Sequence, residues 1–254
     1  MILAIDAGNS TVSFGFFDKD NLKATFRAEA RMGATPDEYW SFITSQMGRA
    51  GIGRSEVTGI VISSVVPPLV PVFFEALKGI CPSLPLVVSN RLKLGIKIRY
   101  STPDTLGSDR LCSTSAAYAI HGGPVIVADF GTATTFSVVD RDGTFIGGAV
   151  APGLLTGYSS LIERTAGLPR VGLTFPKSAI GSGTGEGLTS GIIFGHASMA
   201  EGMVGRLRKE MGADAKCVAT GGLAGMVAPH APSIKEADPH LALKGLAGIY
   251  KMNS

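Results

Sequence analysis

The sequence predicts an α/β protein in which one strand-rich unit occurs twice, and three observations predict it. The phrase Asp-x-Gly-Asn/Thr-x-Thr stands once as Asp6-Ala7-Gly8-Asn9-Ser10-Thr11 and again as Asp129-Phe130-Gly131-Thr132-Ala133-Thr134. Each copy ends an apolar, β-branched run, Ile2 to Ile5 and then Val125 to Ala128, and leads into a second strand-like run. Beyond the first meander, strand and helix patterns alternate, as they do in α/β folds.

Taken in order, Ile2 to Asp6, Thr11 to Asp18 and Lys23 to Ala30 read as three antiparallel strands, turned at Gly8-Asn9 and Lys19-Asp20-Asn21. Thr35-Pro36-Asp37-Glu38 supplies an N-cap, a proline at the first helical position and a glutamate at the third, so a helix runs from about Pro36 to Arg49. Val57 to Val66 and Pro85 to Ser89 are apolar enough for buried strands, with a helix from Pro67 to Gly79 between them. Arg91, Lys93, Lys97 and Arg99 alternate as on a strand edge, a pattern more typical of a solvated face than of a ligand groove. Gly107 to Ala119 reads as a helix bridging the halves. Val125 to Asp129, Thr134 to Asp140 and Thr144 to Ala149 repeat the opening meander, with a hairpin turn at Asp140 to Gly143. The remainder is helical at about 154–165, 185–211, 222–228 and 239–251, interrupted by a strand from Lys216 to Thr220. Five glycines (187, 191, 195, 202, 205) weaken the 185–211 helix in isolation, so a packed neighbour such as a second subunit must support it. The domain boundary falls near the end of the bridging helix, giving 1–118 and 119–254.

At 254 residues the chain fits one large domain or two small ones, and the repeat favours two. A net charge of +3 with no basic run leaves no electrostatic footprint for nucleic acid. Cys81, Cys112 and Cys217 are odd in number and lack C-x-x-C spacing, against a disulfide framework or structural zinc, so a cytoplasmic setting is expected. No signal peptide is expected, because Asp6 breaks the first apolar run. Val57 to Phe74 and Thr144 to Ile162 are uncharged, but prolines and glycines interrupt both, so neither is read as a membrane span.

Glycine turns between strands present backbone N–H groups as an anion nest, and both repeats qualify. Asn9, Ser10, Thr11, Thr132 and Thr134 add hydroxyl or amide donors, and Asp6 and Asp129 stand at strand ends where a cation could be held. A pair of plain hairpin turns with capping aspartates is the alternative, which the repetition disfavours. The signatures of P-loop, dinucleotide-binding and hydrolase-elbow proteins are absent, and the four histidines are scattered. Gly107-Ser108-Asp109-Arg110 lies at a helix start, where Arg110 could clamp a carboxylate and Asp109 could take a proton from an attacking hydroxyl. A capping Asp beside a solvated Arg remains an equal reading of those four residues.

Together these segments resemble the type III pantothenate kinases, members of the sugar-kinase, actin and heat-shock chaperone ATPase superfamily. The likeness also takes in Gly148-Ala149-Val150-Ala151-Pro152-Gly153, Thr165-Ala166-Gly167-Leu168-Pro169 and Thr220-Gly221-Gly222. It implies two actin-like (ribonuclease H-like) domains related by duplication, mixed sheets flanked by helices, with ATP in the cleft between them. The implied reaction is phosphorylation of pantothenate, the first step of coenzyme A synthesis. By position, Asp6, Ala7, Gly8, Asn9, Ser10, Thr11, Val12 and Ser13 would hold ATP phosphates, with Asp6 near Mg²⁺, and Thr132 would add a nucleotide contact. Asp129 would bind a monovalent cation, K⁺ or NH₄⁺, and Asp109 would accept the proton. Tyr100, Gly107, Ser108, Arg110 and Thr184 would contact pantothenate, in a homodimer whose subunits share the pocket. Ser10, Gly183 and Lys244 depart from the family pattern, where Thr, a polar residue and Glu are usual. Two rivals stay open: a kinase of this fold acting on another hydroxy acid or sugar, and an actin-like nucleotide switch.

Overall fold

Leu3, Ile5 and Ala7 alternate with Ala4 and Asp6, so a strand through them sends two different sets of side chains to its two faces. The computed structural model describes residues 1–81 and 83–254. The chain divides into two compact units, Met1–Ala119 with Leu241–Ser254, and Ile120–His240.

The first unit opens with β1 (Ile2–Ala7), β2 (Thr11–Asp18), β3 (Asn21–Glu29) and α1 (Pro36–Arg49). It continues through β4 (Gly59–Ser64), α2 (Leu69–Leu77), the two-residue strands β5 (Leu86–Val87) and β6 (Lys97–Ile98), and α3 (Ser108–His121), which starts in this unit. The strand order is β3-β2-β1-β4-β5; β2 is antiparallel to both neighbours, and β4 is parallel to β1 and β5. Leu3, Ile5 and Ala7 pack with Val12, Phe14, Phe16, Ile60 and Ile62 against Tyr39, Ile43 and Met47 of α1 and Leu69, Phe73 and Leu77 of α2. The expected capping box starts α1: Glu38 N donates to Thr35 Oγ1 at 3.3 Å, and Thr35 N donates to Glu38 Oε2 at 2.7 Å.

In the second unit, β7 (Val125–Phe130), β8 (Ala133–Val139) and β9 (Thr144–Pro152) form the repeated meander. They are followed by α4 (Leu154–Arg164), α5 (Thr184–Met211), β10 (Lys216–Thr220), the single turn α6 (Ala224–Val227) and β11 (Glu236–Ala237). The strands run β9-β8-β7-β10-β11, with the same parallel and antiparallel relations as β3-β2-β1-β4-β5. Even an irregularity repeats: the register slips between Phe16 and Phe17 on β2 and between Val138 and Val139 on β8, the corresponding place. Duplication is thus written in topology as well as in the short motif.

The closing helix α7 (Leu241–Asn253), read from sequence with the second domain, packs instead on β1, β2 and β4 of the first unit. Leu243 reaches Gly15 on β2, and Gly245 lies against the Cys112 backbone of α3 so closely that a Cβ there would overlap it. Other differences are local. Only Lys97 and Ile98 of the alternating basic segment form a strand, and Arg91 and Lys93 lie in turn and coil. The helix expected over 222–228 is one turn, followed by a 3-10 turn at Ala228–His230 in which Pro229 offers no N–H. β11 was not anticipated, being two residues long and led by a charge. Among the described residues no helix is long and apolar enough to cross a membrane.

Two glycine substitutions separate packing from propensity. Gly245→Ala forces backbone apart and is expected to destabilise by about 1–3 kcal/mol, whereas Gly48→Ala in α1, which meets open space, is expected to stabilise by about 0.5–1 kcal/mol. Urea unfolding midpoints of the two variants measure the contrast.

Candidate active site

Because Leu3, Ile5 and Ala7 face α1 and α2, the side chain of Asp6 emerges on the sheet's other face, near the end of β1. Register places it between Ser13 on β2 and Ser63 on β4. In the second sheet Asp129 stands between Thr135 on β8 and Thr220 on β10. Each central strand therefore carries one carboxylate flanked on both neighbouring strands by a hydroxyl residue. No single motif reveals these rows, since they exist only once three strands are paired.

In the first unit the row meets the start of α3. Ser108 Oγ lies 3.0 Å from Ser63 Oγ, accepts from Ser64 N at 3.0 Å and is 3.2 Å from Ser64 O. Ser63 also bonds to the Asp6 carboxylate. Asp6 Oδ1 is buried with no partner. Burial first, then the negative charge of Asp109, raises the Asp6 pKa to about 7, and the Ser63 bond opposes the rise. Burial likewise raises Asp109, against the opposing pull of the Arg110 N–H, which donates to Asp109 Oδ1 at 2.7 Å, and of the Arg110 charge. One turn along α3 from Ser108, burial and the same two carboxylates push the Cys112 thiol well up, so it stays protonated. Two carboxylates are thus held close in a water-poor pocket, an arrangement that favours binding a cation and gives Asp109 more basicity than a surface aspartate.

The β1–β2 turn is closed by Gly8 N donating to Thr11 O at 3.0 Å, and Asn9, Ser10 and Thr11 are exposed at its tip. Ala7 and Val12 are core side chains, so only their backbone could touch a ligand; Ser13 is partly buried. The β7–β8 turn is one residue shorter: Ala7 pairs with Val12, but Phe130 pairs with Thr134. Thr134 is therefore the counterpart of buried Val12, not of exposed Thr11, and the sequence expectation of a phosphate donor there is corrected. Its hydroxyl is buried and meets His196 Nε2 at 2.9 Å. Burial lowers the His196 pKa, favouring the neutral ring. Thr132 is exposed; its carbonyl accepts from Gly153 N at 3.1 Å and Thr156 Oγ1 at 2.6 Å, docking the start of α4 on the turn.

Gly221 has φ of +89°, and a Cβ there would overlap Asp129 Oδ1 and the Phe130 carbonyl. Only glycine serves at that position, and it leaves Asp129 in a tight, oxygen-lined cradle. Thr184 is exposed as the first residue of α5. Gly183 gives that helix no side-chain cap, and Glu186 caps instead, accepting from Ser182 N at 2.8 Å and Ser182 Oγ at 2.6 Å. Lys244 is exposed on α7.

Of the expected site residues, Asp6, Ser108, Asp109 and Arg110 come together in the first unit, beside the 8–13 turn and with Gly107 packed on Asp109. Tyr100 is partly buried in the same unit; Asp129, Thr132 and Thr184 belong to the second. Sequence reasoning missed Ser63, Ser64 and His196. The two serines closing the apolar run Ile60-Val61-Ile62 were the available signal for the first pair.

Comparison with known proteins follows the same lines. The family described as type III pantothenate kinase matches residues 2–206. A type III pantothenate kinase of Thermomicrobium roseum is 41% identical over 251 residues, covering 99% of this chain and 97% of the relative. One of Moorella thermoacetica is 39% identical over 254 residues, covering 100% of both. Among solved structures, component A of the (R)-2-hydroxyglutaryl-CoA dehydratase of Acidaminococcus fermentans matches with a TM-score of 0.54 at 14% identity, over 98% of this chain and 95% of that one. The ethanolamine utilization protein EutJ of Carboxydothermus hydrogenoformans gives 0.54 at 13%, over 99% and 89%. At such identities the likeness is one of fold.

The Asp6 environment fixes a pH dependence in the unliganded protein. A carboxyl whose folded pKa, about 7, exceeds its unfolded value favours folding most below about pH 4 and loses that contribution as pH rises through 7. Asp6→Asn should then raise Tm at pH 8 by roughly 4–8 °C, for about 2 kcal/mol of relieved burial, and by much less at pH 4. Thermal melts at both pH values measure the difference.

Proposed function

The chain belongs to the type III pantothenate kinase family, and from that premise we propose that Asp109 is the base that activates the acceptor in its reaction. The family's reaction is ATP-dependent phosphorylation of pantothenate in coenzyme A synthesis, carried here on two actin-like units. The observation that carries the assignment is the raised, desolvated Asp109 carboxylate close to Asp6 and next to Arg110. Arg110 clamps the pantothenate carboxylate through its guanidinium fork, with Tyr100, Gly107, Ser108 and Thr184 shaping the rest of the acceptor site. As the primary hydroxyl oxygen attacks the γ-phosphorus, its proton passes to Asp109 and the bond from that phosphorus to the bridging oxygen of ADP breaks.

The backbone and exposed side chains of residues 6–13 cradle the phosphates, and Thr132 adds a nucleotide contact. The orphaned Asp6 oxygen fits a Mg²⁺ ion held through water, and the oxygen-lined cradle at Asp129 and Gly221 fits a monovalent cation, K⁺ or NH₄⁺. When bound, both ions offset phosphate charge. We place the enzyme in the cytoplasm as a homodimer. In support of the dimer, Gly187, Gly191, Gly195, Gly202 and Gly205 of α5 border open space, while Ile193, Ala197, Ala200 and Val204 fill the unit's own core.

Asp109→Asn should fold as the wild type and lose about 10²- to 10⁴-fold in kcat; wild-type turnover in a coupled ATPase assay would remove Asp109 from the chemistry. The same assay across hydroxy acids and sugars, with K⁺ present or replaced by Na⁺, should show turnover with pantothenate alone and a loss without K⁺. Gly195→Arg should yield monomers in analytical ultracentrifugation, and an intact dimer would move the interface elsewhere.

A further inference from the structure

We infer that Ser63 is a positioning residue of this enzyme, whose hydroxyl ties the Asp6 carboxylate to Ser108 and thereby fixes how α3 presents Asp109. The inference rests on the assignment of Asp109 as base. Ser63 is wholly buried, sits in register with Asp6 on the neighbouring strand, and has Ser108 Oγ at 3.0 Å. Ser63 bonds to the Asp6 carboxylate, and since Oδ1 is without a partner the bonded oxygen is Oδ2. Ser63 Oγ and Ser108 Oγ share a hydrogen bond that either can donate, and Ser108 Oγ also accepts from Ser64 N at 3.0 Å and donates to Ser64 O at 3.2 Å. The chain runs from a backbone N–H of β4 through two hydroxyls to the Asp6 carboxylate.

Both hydroxyls, Ser63 and Ser108, are buried, so water does not readily replace the bond between them once lost. Ser108 starts α3 and Asp109 is the next residue, so releasing Ser108 frees the turn that carries the base. In the second unit Thr220 occupies the place of Ser63 beside Asp129, and a threonine hydroxyl is therefore compatible with this strand position.

The test uses the full-length enzyme. Ser63→Ala should lower kcat roughly 10- to 100-fold while KM for pantothenate and ATP changes less than about threefold, as expected when geometry rather than binding is lost. Ser63→Thr should recover kcat to within about threefold of wild type. In the unliganded protein, amide exchange at 109–111 should accelerate at least about fivefold in Ser63→Ala. Ser108→Ala cuts the same chain one bond away and serves if Ser63→Ala fails to fold; the double variant should be no slower than the worse single. A folded Ser63→Ala with near-wild-type kcat, unchanged exchange at 109–111, or strictly additive effects with Ser108→Ala would overturn the inference. The exchange measurement judges Ser63 even if Asp109→Asn removes that residue from the chemistry, so the two readings fail separately.

Discussion

A carboxylate buried with one oxygen unpartnered is costly, and the first unit is organised around tolerating that cost at Asp6. Strand parity turns Asp6 away from the aromatic core under α1 and α2, leaving it on the face where α3 begins. Ser63 meets one oxygen, and the other has no hydrogen-bond partner. The same low-dielectric surroundings raise Asp109, so a single desolvated pocket makes both carboxylates more basic. Stability is given up there in the unliganded protein.

Much of the architecture was legible because its signals are local. The capping box at Thr35 to Glu38, the paired Gly turns and the hairpin at Asp140 to Gly143 each state their geometry within four residues or so. The closing helix also announces itself by its apolar period, but nothing in residues 241–253 says which sheet it will cover; that choice depends on Gly15, Gly59 and Gly245 making room. The short strand β11 escaped because two residues carry no period, and of the strand edge read over 91–99 only Lys97 and Ile98 pair. The site divides the same way. Asp6, Asp109 and Asp129 sit in motifs, whereas Ser63 and Thr220 acquire meaning only through register with a strand far away in sequence.

The two halves also show how a repeat diverges. Their strand orders agree, and both keep the hydroxyl-flanked carboxylate and the slipped register. The turn after the central strand does not agree: losing one residue moves Thr134 from the tip into the interior, where it bonds His196. Matching letters at Thr11 and Thr134 thus hide different places in space. The longer turn keeps three exposed residues at its tip, the shorter one is tied down by α4, and the two copies are free to serve different ligands.

The return of α7 to the first sheet has a kinetic consequence for biosynthesis. Its partners on β1, β2 and β4 leave the ribosome well before the helix that covers them, with the whole second unit made in between. During translation the first unit waits with one apolar flank bare, exposed to chaperones and to aggregation, until that helix emerges. Completion of the first unit is thereby gated by residues Leu241–Ser254.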